Sequence, residues 1–158
     1  MVAGIINLAL FHTAIIEFEA KNGILRGSDL GIKSAVAFGD YYSLSPSVGG
    51  WAQALFIEAF GTAFLTFVIF SATHPSNASV ASSAVPLIVG SAIGSMIALL
   101  GATTGAGINP ARDLGPRLIT LFAGWGSASM QGAWVYIAGP LIGGPIGAAL
   151  ADLVLWKM

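Results

Sequence analysis

The stretch that decides the fold is Gly107-Ile-Asn-Pro-Ala-Arg-Asp113. Asparagine is a preferred helix N-cap, and proline at the first helical position has a preset φ and no N–H group to leave unpaired. The stretch therefore predicts a helix that begins at Pro110 and points its positive end toward Asn109. At membrane depth, that end would repel cations while the Asn109 amide hydrogen-bonds a neutral solute. In a soluble protein the same residues would be an ordinary helix cap, so the flanking segments decide between the two interpretations.

Long apolar runs flank this stretch. Three of them are long enough to cross the roughly 30 Å core of a bilayer, which needs about 20 residues. We assign membrane spans to residues 51–72, 80–103 and 133–156. Residues 104–126 lie between two of these spans and mix polar with apolar side chains. They predict either an exposed loop or a re-entrant half-helix, which a bilayer tolerates only where it lines a cavity or is buried in protein.

The composition of the chain is typical of a helical protein that crosses the membrane several times. Of its 158 residues, 56% are hydrophobic and 8% are charged, whereas soluble domains carry about 25% charged residues. This argues against a soluble enzyme or a disordered chain and makes the lipid bilayer the expected surroundings. A net charge of −1 offers no basic surface for nucleic acid. The chain has no cysteine and its two histidines are isolated, so we expect no metal site and no cofactor.

The beginning of the chain is also apolar. Residues 2–16 are too few to span a bilayer comfortably. They could be a signal-peptide core, but no Lys or Arg precedes them and no small-residue cleavage pattern follows. A half-span or an interfacial helix is a further alternative. We interpret this run as the tail of a longer helix and the polar residues 17–50 as an aqueous loop.

Several motifs together resemble the aquaporin superfamily. Gly107–Arg117, followed by Leu121-Phe-Ala-Gly-Trp-Gly126, resembles its second signature loop. The Asp and the Gly-Pro-Arg after the Asn-Pro-Ala-Arg tetrad are similar to those of the glycerol-conducting branch, the aquaglyceroporins. The segment Trp134–Leu141 resembles the last span of that branch, and Phe56–Thr62 resembles the fourth. The resemblance covers about residues 3–156.

The resemblance implies an all-α membrane protein with an aquaporin-like helical bundle. The family has six spans and two half-helices in two inverted repeats. This chain, residues 1–158, would be a partial channel domain: the tail of the third span (2–16), a loop (17–50), three full spans and the re-entrant segment 104–126. The implied function is passive passage of glycerol, urea, water and other small neutral solutes, without a chemical reaction. The full-length family forms homotetramers. The alternatives are a truncated, non-conducting protein that associates with full-length channels, or an incomplete gene model.

The resemblance also implies roles for single residues. Arg112 would be the arginine of the narrow filter, and the filter positions found by counting back without gaps are Ala106 and Ile97. Glycerol channels often carry an aromatic residue at the former position and a small one at the latter, so the departure suggests a wider, more apolar constriction. The half-helix start that meets its counterpart at the midplane of the pore would be Asn109-Pro110-Ala111.

Other residues are expected to support the loop. Glu58 lies in an apolar span, where a carboxylate needs a partner, and we predict that it accepts hydrogen bonds from backbone N–H groups of residues 103–109. Asp113 and Arg117 are four residues apart and can pair on one helix face. Glycines at 139, 143 and 147 predict a smooth ridge for close helix packing. The Lys and Arg residues of 17–50 would place that loop in the cytoplasm, but the resemblance places it outside, and we follow the resemblance.

Overall fold

The computed structural model describes residues 1–156, and within this range the chain is helical, with no strand. In this range, four long and two short α-helices are joined or followed by 3-10 turns and two π turns. The α-helices are α1 (Val2–Asn22), α2 (Ile32–Ala35), α3 (Trp51–Thr73), α4 (Val85–Leu100), α5 (Pro110–Thr120) and α6 (Ala133–Ala151). This is the all-α membrane bundle that the sequence predicts.

Within the described range, four segments are long and apolar enough to cross a membrane. They are α1, α3, α4 with the turn before it (Ser82–Leu100), and α6 with the first residues after it (Ala133–Leu155). The predicted boundary between helix and loop at residue 16 is wrong, because α1 has 21 residues and continues to Asn22. The charged residues Glu17, Glu19 and Lys21 belong to this helix and not to the loop, since glutamate and lysine favour helices and continue it.

Helix α1 ends at Gly23, which adopts a left-handed φ of 62°. Glycine takes this conformation without a steric penalty, so it is a common end for a helix. Just beyond it, Arg26 turns back and its Nε lies 2.9 Å from Glu19 Oε1. The charges of Glu19 and Arg26 predict a loop, but their ion pair fixes the end of the helix.

The segment between α1 and α3 is ordered and partly buried, rather than a simple aqueous loop. Its centre packs around Trp125, whose indole is fully buried and donates to Ser34 Oγ at 2.9 Å. Phe38 and the Arg26 guanidinium lie against the same ring, at 5.5 Å and 4.0 Å from its centre. The segment therefore covers the end of the re-entrant region and joins it to α1.

Helices α3 and α6 pack closely along their length. The predicted ridge of Gly139, Gly143 and Gly147 is buried and faces α3. A Cβ at Gly143 would collide with the carbonyl of Ala59, and one at Gly147 with the carbonyl of Ala63. The absence of side chains on the ridge is what lets the two backbones approach.

The remaining spans differ from the predicted bounds by a few residues. Helix α4 ends at Leu100, three residues before the predicted end, because the chain turns at residues 101–104 and leads into the irregular segment 105–109. Helix α5 has only 11 residues and starts at Pro110, as predicted. It packs on α1 at Gly4, where an added Cβ would lie 3.1 Å from the Pro116 Cα. Contacts with α1, α6 and the ordered loop place this short helix inside the bundle.

Candidate functional site

The N-terminus of α5 is built by Asn109 and Pro110. The Asn109 side chain accepts hydrogen bonds from the backbone N–H groups of Ala111 at 3.0 Å and Arg112 at 3.3 Å. Pro110 occupies the first helical position, where its missing N–H costs nothing. Asn109, Ala111 and Arg112 are exposed, so the positive end of the helix is accessible at the surface of the described chain.

The backbone before α5 is strained. Gly105, Ala106 and Ile108 all have positive φ angles, of 92°, 57° and 36°. Left-handed geometry costs a residue with a side chain roughly 1–2 kcal/mol, so the surrounding contacts must hold it. Such a conformation turns backbone groups outward instead of pairing them with each other.

Glu58 holds this strained segment from α3. Its side chain is fully buried, and its Oε1 and Oε2 accept hydrogen bonds from the N–H groups of Gly107 at 3.1 Å and Ile108 at 2.6 Å. The contact predicted for Glu58 is therefore present. These two hydrogen bonds satisfy backbone donors that are buried away from water.

Tyr136 on α6 supports the same segment, a role that no local sequence signal indicates. Its hydroxyl donates to the carbonyl of Thr104 at 2.8 Å. A Cβ at Gly107 would lie 3.0 Å from Glu58 Oε2 and even closer to the Tyr136 ring. Glycine at 107 is therefore what allows the loop to reach both side chains.

The two residues assigned to the filter by counting lie in different surroundings. Ala106 is buried, at 2% exposure, in an apolar cluster with Met96, Leu100 and Ile108. Ile97 lies on α4 and is 49% exposed. Of the two, only Ile97 presents its side chain at the surface of the described chain.

Asp113 and Arg117 form the predicted pair and extend beyond it. Arg117 Nε lies 2.7 Å from Asp113 Oδ2, and both side chains are buried. The Arg117 guanidinium also donates to the carbonyls of Ser129 at 2.8 Å and Gln131 at 3.0 Å, and to that of Asp40. It is thus the centre of a network, a role that the spacing of four residues does not reveal.

Tyr41 covers this network from the loop. The Arg117 guanidinium lies 4.1 Å from the centre of the Tyr41 ring, close enough for a cation–π contact. The Tyr41 hydroxyl donates to the carbonyl of Ser129 at 2.8 Å. Burial raises the pKa of this hydroxyl to about 12, so it stays protonated and keeps donating at any physiological pH.

Arg112 forms an ion pair that the sequence does not predict. Its Nη1 contacts Oδ2 of Asp40, a loop residue 72 positions earlier in the chain. Arg112 also lines a cavity of about 470 Å³ between α1 and α5, together with Asn7, Phe38 and Ala111. The start of a helix can be predicted from its local sequence, but this long-range pairing cannot.

The sequence of this helical assembly matches a known family. Residues 14–151 match the profile of the major intrinsic proteins. This chain belongs to the major intrinsic protein family. It is 36% identical over 145 residues to the glycerol uptake facilitator protein of Pseudomonas aeruginosa and 33% identical over 154 residues to a propanediol uptake facilitator of Salmonella typhimurium. It is 35% identical over 127 residues to aquaglyceroporin-2 of Rhizophagus irregularis.

These matches cover 88%, 94% and 78% of this major intrinsic protein chain, but 51%, 57% and 39% of the respective relatives. The chain therefore spans about half the length of the curated relatives it matches. Glycerol and propanediol facilitators among its relatives confirm the aquaglyceroporin resemblance. With the four apolar helices of its described residues, the chain is an integral membrane protein of a channel family.

Proposed function

We propose that this chain forms half of a channel for passive passage of glycerol, urea, water and other small neutral solutes. The observation that carries the proposal is the start of α5, where Asn109 and Arg112 are both exposed and Arg112 lines the cavity between α1 and α5. The proposal involves no catalytic residue, no chemical step and no cofactor.

The arrangement suits a neutral, hydroxylated solute. The positive end of α5 opposes cations, while the Asn109 amide and the Arg112 guanidinium offer donors to a passing hydroxyl. A pore of the aquaporin type selects by such donors and acceptors together with its diameter and its electrostatic barriers. The Glu58 contacts support the proposal because they fix the loop on which these donors depend.

The proposed narrow part of the pore is bordered by the side chains of Arg112 and Ile97 and by the backbone of Ala106, whose methyl group is buried. The exposed Ile97 side chain would contribute an apolar wall. Ala106 would contribute through its small size, since an aromatic side chain at this position would fill space that alanine leaves free. Both features favour a constriction wider and more apolar than that of glycerol channels with an aromatic residue there.

We further propose that the wall facing Asn109 and Arg112 comes from a complementary half-channel and that the complete protein assembles as a homotetramer in the bilayer. Asn109 and almost half of the Arg112 side chain are exposed in the described chain, and polar groups that face lipid are costly, which favours covering them with such a half. The alternative of a non-conducting chain that associates through its glycine ridge loses support, because that ridge is buried against α3.

Liposome flux measurements test this function. We expect the purified chain alone to give glycerol and water flux no higher than empty vesicles. Co-reconstitution with the half of the Pseudomonas aeruginosa facilitator that this chain does not match should restore glycerol flux. In this paired-half assay, Arg112→Ala should reduce the flux, whereas the control Lys33→Ala, which removes an exposed basic side chain from the loop, should leave it largely intact.

Two results would contradict the proposal. If the paired halves are inserted and folded but pass no glycerol, the chain is a non-conducting membrane protein. If the chain alone conducts and Arg112→Ala changes that flux, the pore is assembled from copies of this chain instead of two different halves.

A further inference from the structure

The loop residue Asp40 forms an ion pair with Arg112, which lines the cavity between α1 and α5. Arg112 Nη1 contacts Asp40 Oδ2, and the two side chains are 46% and 11% exposed. A guanidinium carries five N–H donors. The Asp40 carboxylate contacts one nitrogen of this group, while almost half of the Arg112 side chain stays accessible.

The backbone of Asp40 is fixed on both sides by α5. Its N–H donates to Asp113 Oδ1 at 2.7 Å, and its carbonyl accepts from Arg117 Nη2. Asp113 and Arg117 lie on the same short helix as Arg112. The carboxylate is therefore held at a defined place relative to Arg112, unlike a carboxylate at the tip of a free loop.

Gly105 provides the space for this carboxylate. Its φ of 92° suits glycine, and a Cβ at this position would collide with the Asp40 side chain. The Asp40 carboxylate thus packs directly against the backbone of the strained segment. The ion pair, the segment that Glu58 holds and the start of α5 are one connected structure.

We propose that Asp40 is a positioning and specificity-determining residue that holds Arg112 in place and compensates its charge. The proposal deepens the proposed function and rests on it. Arg112 then meets solutes as half of a nearly neutral pair, and the barrier to cations comes mainly from the dipole of α5. The Asp40 carboxylate is buried, so a solute hydroxyl meets the accessible N–H donors of Arg112 and not the carboxylate itself. The compensated charge lets Arg112 donate to neutral polyols while it attracts anions less than an unpaired guanidinium would.

The reactivity of Arg112 toward phenylglyoxal tests the pairing without requiring conduction. The purified chain in detergent is treated with the reagent, and tandem mass spectrometry follows each arginine separately. Asp40→Asn should raise the rate at Arg112 by about fivefold, as expected for the loss of a partly buried ion pair. Asp40→Glu should keep most of the protection. Asp29→Asn, the same change at an exposed position of the same loop, should have no effect.

Asparagine has nearly the same shape as aspartate, so a merely packing role would survive Asp40→Asn and leave Arg112 protected. Equal Arg112 rates in the wild type and Asp40→Asn would overturn the proposal. Arg117 is fully buried and should stay unreactive throughout. If Arg117 becomes reactive in Asp40→Asn, the loop has opened in that variant, and Asp40→Glu then tests the pairing. Protection of Arg112 in Asp40→Glu supports the pairing, and loss of that protection overturns it. Missing glycerol flux in the paired-half assay would contradict only the channel function, since the reactivity result stands without it.

Discussion

Among single residues, Glu58 makes the contacts that matter most for the loop before α5. Replacing it by glutamine keeps the size but exchanges one acceptor oxygen for an NH2 group facing a backbone N–H. One buried donor is then left unsatisfied, which costs about 1–3 kcal/mol. We therefore expect Glu58→Gln to destabilise the purified chain in detergent, which is measured as a lower thermal unfolding temperature.

The control for this variant is Glu17→Gln, which removes the same charge from an exposed position of α1. It should leave the unfolding temperature within experimental error. A Glu58→Gln protein as stable as the wild type would show that the two hydrogen bonds at Gly107 and Ile108 contribute little.

Asn109 has two separable roles, as a helix cap and as a proposed donor to solutes. Aspartate caps a helix as well as asparagine does, whereas alanine costs about 1 kcal/mol. Asn109→Asp should therefore keep the thermal stability of the chain and Asn109→Ala should lower it. Both variants lack the amide donor, so both should reduce glycerol flux in the paired-half assay. Undiminished flux in Asn109→Asp would mean that the amide does not serve the solute.

At the scale of helices, the contact between α3 and α6 depends on the face of α6 that carries glycine. A methyl group at Gly143 collides with the Ala59 carbonyl, whereas at Gly144 the nearest atom is 4.0 Å away. Gly143→Ala should therefore destabilise the chain by about 1–3 kcal/mol, the usual cost of overpacking. Gly144→Ala should be neutral or slightly stabilising, because alanine favours helices. Thermal unfolding in detergent compares the two, and equal stabilities would exclude close packing at Gly143.

The helices themselves can be predicted well because their signals are local. Run length identifies α3, α4 and α6, and the Asn-Pro pair identifies the first residue of α5. The predicted end of α1 is wrong because it rests on the position of the first charged residues. Charged residues show where a helix leaves the apolar region, but the helix itself can continue into water. The residue that ends it, Gly23, is a weak signal in a segment that contains several glycines.

At the scale of the whole molecule, Arg117 joins parts that are distant in sequence: α5, Asp40 in the loop, and the turn that contains Ser129 and Gln131. Lysine keeps the charge but lacks the planar fork of donors. In Arg117→Lys we expect backbone amides of residues 36–45 and 126–131 to exchange hydrogen at least about tenfold faster, equivalent to about 1.4 kcal/mol. Amides of α3 should be unaffected, and their equal acceleration would indicate global unfolding instead of local release.

The supporting network shows where sequence reasoning ends. Glu58 can be assigned because a carboxylate in an apolar span must have a partner. Asp40, Tyr41 and Tyr136 sit in sequences where an acidic or aromatic residue is ordinary, and their roles depend on partners 32 to 88 positions away. Only the folded arrangement brings them to the same helix.

The distance along the chain between Glu58 and its partners also affects the order of events while the protein is synthesised. Gly107 and Ile108 follow it by 49 and 50 residues, and ribosomes add about 5–20 residues per second. For several seconds of synthesis, α3 thus enters the membrane with a carboxylate whose partners do not yet exist. A charge at the centre of a helix costs about 2.5–3.5 kcal/mol on insertion, and each Leu, Ile, Phe or Val returns about 0.3–0.6. The many such residues of α3 let it insert ahead of the loop it will later hold.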